Sequence, residues 1–240
     1  MKAKTLLIIS PILIGTLFVS CKKKGCTDEI ATNYNEKAKK DDGTCLYTPF
    51  ITVIGASDTT ILVGSTYNDP GATAANFDGA SVAVTTTNNV NAAEVGVYEI
   101  NYSATNNNGT SNATRTVRVV ITQDSYIGSW STSGDCNGQT GMALNGSPSI
   151  QAGANENQIL ITDFFNGLTG AYGTAVVTVN EEQMSVIDGQ DAAPGGLGDI
   201  IYSGFGSMNS DGQTFTITFT YQNTTPITGT SGTCTATFAK

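Results

Sequence analysis

From residue 49 onward, apolar and polar residues alternate in short runs. The clearest is Gln213-Thr-Phe-Thr-Ile-Thr-Phe-Thr-Tyr221, which sets Phe215, Ile217, Phe219 and Tyr221 on one face. Val97–Ala104 repeats the pattern with Tyr98, Ile100, Tyr102 and Ala104, and Arg115–Ile121 repeats it with Val117, Val119 and Ile121. A period of two marks a strand with one buried face. Weaker runs predict strands at 50–54, 60–63, 82–84, 158–163, 171–179, 183–187, 200–204 and 233–238. Another is expected to open at Tyr126-Ile-Gly-Ser-Trp130 and run toward Cys136. Turn signals separate them: Gly64–Ala72 is a turn cluster, Asn106-Asn-Asn-Gly109 a hairpin signal, and Asn180-Glu-Glu182 a turn. The chain is predicted to be all-β, with a sandwich over residues 49–123.

The first residues break this pattern. Lys2 and Lys4 precede an apolar run from Thr5 to Ser20, and Lys22-Lys23-Lys24 follow Cys21. The apolar run falls short of the ~20 residues a membrane-crossing helix needs. This is the layout of a bacterial secretion signal over residues 1–20. The small residue before Cys21 resembles the lipobox of bacterial lipoproteins. That resemblance implies cleavage before Cys21 and lipidation of its thiol. The expected address is then the cell envelope, with the protein held at the outer membrane by acyl chains on either the periplasmic or the outer face.

The chain has five cysteines. With Cys21 taken by lipid, Cys26, Cys45, Cys136 and Cys234 are left for disulfides, as an oxidising compartment permits. Spacing alone allows three pairings, and local pairing is favoured because each pair lies within its own segment. Residues 21–48 are too few to own a core, so a crosslink has to hold them. Their Gly25-Cys-Thr-Asp28 and Asp41-Asp-Gly-Thr-Cys45 resemble a short cysteine-bracketed module of secreted Bacteroidota proteins. Asp41 and Asp42 are candidate calcium ligands, although an Asx turn closed by Gly43 is the stronger expectation.

Three stretches carry a second resemblance: Leu62-Val-Gly-Ser-Thr-Tyr-Asn-Asp-Pro-Gly-Ala-Thr-Ala74, Val97-Tyr-Glu-Ile-Asn-Tyr-Ser-Ala-Thr105 and Thr114-Arg-Thr-Val-Arg-Val119. Together they resemble the bacterial Ig-like surface domains. The resemblance implies a spacer, or a protein- or sugar-binding unit, without catalysis. Tyr67, Asp69, Pro70 and Gly71 are expected to set the passage from strand to turn.

In the last region Trp130, Thr132, Gly134 and Cys136 share one parity, and Cys234, Ala236 and Phe238 share another. If both cysteines point inward and bond, the first and last strands are neighbours and the sheet closes. The order Tyr126-x-Gly-x-Trp130, Gln158–Phe164, Thr214–Tyr221, Thr233–Thr237 resembles the small lipocalin-like barrels that end Bacteroidota envelope lipoproteins. The expected domains are therefore 1–20 signal, 21–48 cysteine-bracketed module and linker, 49–123 Ig-like sandwich and 124–240 antiparallel β-barrel.

Charge and composition narrow the chemistry. The chain carries 11 basic and 20 acidic residues, and residues 125–240 hold nine acids against Lys240 as the single base. Such a surface repels phosphate backbones, so nucleic acid is not an expected partner. The sequence contains no histidine, which removes the commonest general base and rules out a Ser-His-Asp site. No pair of carboxylates is singled out for glycoside chemistry. No enzyme activity and no cofactor are expected. Candidate ligand contacts are Trp130, which either stacks on a sugar or plugs the barrel floor, and Asp188, Asp191 and Asp199 in an acidic, glycine-rich loop. The expected function is a monomeric, lipid-anchored envelope protein whose barrel binds a glycan, a small apolar ligand or an envelope protein. The alternatives are a purely structural or adhesion spacer and, third, a small glycan-acting hydrolase.

Overall fold

The computed structural model describes residues 22–136, 146–162, 164, 174–191, 200–223 and 231–240. The first of these form a knot of turns closed by the Cys26–Cys45 disulfide. Backbone bonds from Thr32 N to Leu46 O (2.8 Å) and from Asn35 N to Cys26 O (2.9 Å) tie its two halves. Only small side chains are buried there: Cys26, Ala31 and Ala38. The crosslink supplies what so slight a core cannot.

The next unit is a two-layered sandwich. Strands β1 (Phe50–Val53), β2 (Asp58–Leu62), β3 (Ala72–Ala75), β4 (Ser81–Val82), β5 (Val84–Asn88), β6 (Gly96–Asn106) and β7 (Gly109–Val120) follow in order. One sheet runs β1-β3-β4 and the other β2-β7-β6-β5, with β2 and β7 parallel. Asn106 pairs with Gly109, so the expected hairpin turn is there. The predicted faces also hold, since Ile100, Tyr102, Ala104, Val117, Val119 and Ile121 are all buried. Strand β3 lies at the end of the expected turn cluster. Its alanine-rich sequence has little strand propensity, and antiparallel pairing with β1 from Val53↔Ala72 to Phe50↔Ala75 imposes the conformation.

Thr122 begins a short helix, α1 (Gln123–Tyr126), where a strand start was expected. The Ser125 hydroxyl accepts from the Thr122 N–H at 3.2 Å, and this local bond wins over extension. The strand begins only at Gly128, whose φ of +129° few other residues adopt.

The last unit is one antiparallel sheet. Its strands are β8 (Gly128–Ser129), β9 (Ser131–Asp135), β10 (Ser149–Ala152), β11 (Gln158–Ile161), β12 (Ala175–Asn180), β13 (Gln183–Asp191), β14 (Ile200–Met208), β15 (Thr214–Asn223) and β16 (Ser231–Ala239). Their order is β8-β10-β11-β12-β13-β14-β15-β16-β9. Strands β8 and β9 are halves of one strand, parted only at Trp130. The first half pairs with β10 and the second with β16. Thr132 is shared: it faces Phe238 on one side and bridges Gly146 on the other. The sheet therefore comes round on itself. The Cys136–Cys234 disulfide, the expected local pairing, fastens the same junction, and the first and last strands are neighbours.

Strand β14 lies unusually close to β15 along its inner face. A methyl group added at Gly204 would meet Thr218 O at 2.5 Å, and one at Gly206 would meet Thr216 O at 2.3 Å. Glycine at these two positions lets the strand curl inward, as tight barrels require. The two β units also touch. Val63 and Val95 pack on the barrel core, and Val95 N donates to Ser210 O at 2.9 Å.

Candidate functional site

The barrel interior was the expected ligand site, and its described part holds a packed aromatic core. Trp130 is 2 % exposed, and its Nε1–H donates to Tyr126 O at 2.7 Å. Its ring meets Phe215 edge-on at 4.7 Å, and Phe215 stacks on Phe238 at 4.2 Å. Phe164 extends the packing to Tyr202 at 5.6 Å and Phe219 at 5.0 Å. Lys240 Nζ lies 4.9 Å over the Trp130 ring and donates to Ser125 O at 2.8 Å. Burial lowers the Lys240 pKa and raises that of Tyr126, whose hydroxyl donates to Glu181 O at 2.7 Å. As a sugar platform Trp130 is therefore corrected: its indole is the floor of the core, with its one polar atom satisfied inside.

Of the acidic candidates in the barrel, only Asp188 has a described side chain. Asp188 is exposed, in the register shift between Val186 and Gln190 on β13. The Gln190 side chain patches that bulge, bonding both Val176 N and Val176 O. Asp188 shares an outer-wall groove of about 290 Å³ with Ser203, Phe205, Thr218 and Thr220. Asp191 pairs through its backbone with Ile201, while its side chain, all of Asp199, residues 1–20 and Cys21 lie outside the described residues.

In the knot, Asp41 Oδ1 accepts from Gly43 N at 3.1 Å, and Asp42 Oδ1 accepts from Thr44 N at 3.1 Å and Thr44 Oγ1 at 2.6 Å. The Thr44 hydroxyl holds the Asp42 carboxyl below its usual range. Both carboxylates thus close Asx turns. Among the described residues no three or more His, Cys, Asp or Glu side chains converge as a metal site.

The Ig-like unit holds a buried ionic network that the sequence reading did not find. Arg115 Nε lies 3.1 Å from Asp69 Oδ1 and donates to the Tyr102 hydroxyl, also at 3.1 Å. That hydroxyl donates to Asp69 Oδ1 at 2.6 Å. The two terminal guanidinium nitrogens donate to Ala56 O and Ile54 O. Burial opposes the Arg115 charge, and contacts with Tyr102, Tyr67 and Asp69 outweigh it, so its pKa rises. Asp69, Pro70 and Gly71 therefore do more than shape a turn: they bring an anion and a carbonyl to a buried cation. The missed signal was parity. Arg115 shares a face with Val117 and Val119, and an inward arginine needs an acid partner.

One further concavity lies where the knot meets the sandwich. It measures about 340 Å³ and includes Tyr47, Asn76, Phe77, Asp78, Asn106 and Asn107. Asn106 Nδ2 donates to Tyr47 O and to Asn76 Oδ1, both at 2.9 Å, and fastens the two parts.

Residues 51–119 match the family of the bacterial surface protein, Ig-like domain. This stretch is an Ig-like domain of the bacterial surface class, which fits a cell-envelope protein. No curated protein matches the chain. Among solved structures, the lipoprotein BT2262 from Bacteroides thetaiotaomicron is similar at 16% identity, over 80% of this chain and 100% of that one. Its TM-score of 0.32 is too low to establish a shared overall arrangement.

Proposed function

We propose that this chain is a non-catalytic lipoprotein of the cell envelope, held by acyl chains on Cys21, that works as an adhesion or scaffold protein. The observation that carries this reading is the packed barrel: Trp130, Phe215, Phe238, Phe164 and Tyr202 occupy the interior where a lipocalin-type ligand would lie. A solid barrel leaves recognition of a glycan or an envelope protein to outer surfaces. The Ig-like match supports the envelope setting. The absence of histidine from the sequence supports a role without histidine-dependent catalysis.

Metabolic labelling with alkyne-palmitate tests the anchor. The expected result is a labelled protein whose label disappears in Cys21→Ser, and an unlabelled wild-type chain would overturn the anchoring. Titration of residues 22–240 with N-phenylnaphthylamine tests the solid barrel. The expected result is no saturable gain in fluorescence, and a saturable gain would overturn the scaffold reading in favour of an apolar ligand. Protease shaving of intact cells assigns the domains to the outer or the periplasmic face.

A further inference from the structure

We infer that the cleft between the disulfide knot and the Ig-like domain is a subsite for a neutral saccharide ring. Phe77 is the first observation. It sits at the tip of the β3–β4 turn and is 69 % exposed. The turn itself does not need it. Asn76 N donates to Ala80 O, Gly79 N donates to Asn76 O, and Asp78 Oδ1 accepts from Ala80 N. Gly79 supplies the left-handed step with a φ of +86°. The turn's own hydrogen bonds do not call for a large apolar ring, and Phe77 packs instead on Tyr47, with Phe50 6.5 Å away.

The ring is also held in place. One face of Phe77 stacks on Tyr47 at 4.3 Å with 13° between planes. The Tyr47 hydroxyl is pinned by Asp28 Oδ2 at 2.9 Å. The contact with Tyr47 helps seat the knot, and Phe50 lies 6.5 Å from the same ring. Phe77 nonetheless keeps most of its surface open and lines the cleft. A rigid aromatic face costs little entropy to use in binding.

Polar groups stand beside this platform. Asn76 Oδ1 accepts from Asn106, and Asn76 lines the cleft. Asp78 uses one oxygen within the turn, and Asn107 is exposed on the hairpin rim. A pyranose matches this set: its C–H face stacks on a ring while its hydroxyls accept from amides and donate to a carboxylate. Asp28 and Asp78 disfavour an anionic ligand. The volume of about 340 Å³ falls within the ~300–1,000 Å³ of small-molecule sites. The site does not depend on lipidation, so it stands or falls separately from the anchor.

The test is a ¹H–¹⁵N titration of residues 22–240 with laminarihexaose, maltohexaose and chitohexaose, each taken to millimolar concentration. At least one is expected to give saturable shifts at Asn76, Phe77, Gly79 and Asn107 while Gly206 and the Trp130 indole stay still. Phe77→Ala should weaken that binding about tenfold or more, the equivalent of one aromatic contact or better. Phe77→Trp should preserve it. Asn107→Ala, which leaves the Tyr47 stack intact, should weaken it severalfold. Should Phe77→Ala loosen the knot, seen as shifts through Thr32 and Asn33, the Asn107→Ala result decides. The proposal is overturned if none of the three sugars shifts these residues, or if binding survives unchanged in Asn107→Ala. It is equally overturned if the same signals move with protein concentration alone, which would mark a contact between copies.

Discussion

Arg115 Nε stands 3.1 Å from Asp69 Oδ1 at the heart of the Ig-like domain, with the arginine only 1 % exposed. The pair joins β7 to the loop before β3, and the Tyr102 hydroxyl bridges both partners. Removing one partner leaves the other charge buried and alone. Asp69→Ala should therefore cost about 3–5 kcal/mol. Replacing both, as Asp69→Leu with Arg115→Met, should recover part of that loss. Urea unfolding of residues 22–240, followed by far-UV circular dichroism, measures both. A single variant as stable as wild type would show the pair to be idle.

The Cys136–Cys234 bond closes a loop with a sequence separation of 98 residues. A crosslink across so long a loop contributes about 4–5 kcal/mol, chiefly by restricting the unfolded chain. Cys136→Ser with Cys234→Ser should lower the barrel's melting temperature markedly while the sandwich transition stays put. The knot needs its own crosslink more, having almost no core. Cys26→Ser with Cys45→Ser should expose residues 22–48 to protease in the folded protein.

Alkaline pH should loosen the barrel. Burial holds the Tyr126 phenol above its ordinary value of 10.0. An unfolded tyrosine ionises first, so the folded state binds the extra proton between the two values. The stability Tyr126 contributes is complete below about pH 10 and is lost as pH climbs toward the folded value. Tyr126→Phe should flatten that slope, at a cost of about 1 kcal/mol at neutral pH for the lost bond to Glu181 O. Lys240 pulls the other way, since its lowered pKa makes the folded state shed its proton early. Denaturant midpoints between pH 7 and 11 separate the two.

Gly206→Ala should cost about 1–3 kcal/mol, because its methyl would press on Thr216 O and push β14 off β15. Ser207→Ala on the outward parity should cost little. Thermal melts of the two variants compare them directly, and equal melting points would mean that the close approach is relaxed in solution.

The alternating strands were legible because one face of each is buried. Phe215, Ile217, Phe219 and Tyr221 on β15 read straight from the period of two, and all four are buried. The short strands β3 and β10 were not legible. Ala72–Ala75 and Ser149–Ala152 have little propensity of their own and are strands because their neighbours pair with them. Tyr126 misled because an apolar run reads the same in a helical turn as in a strand. The Arg115 network was not legible: Asp69 and Gly71 read only as turn residues, and packing brings residues 69 and 115 together. Phe77 carried no periodic signal at all. A single ring on a turn is evident as a surface feature only once its exposure is known.

Thr132 pairs with Phe238 of β16 on one side and bridges Gly146, just before β10, on the other. Proteins crowded on an envelope collide with copies of themselves constantly, and a margin of unpaired amides would turn such encounters into fibres. The nearly closed sheet offers a passing chain little template to extend. Of the two β units, the sandwich, with sheet ends at β2 and β5, is therefore the more open to strand addition.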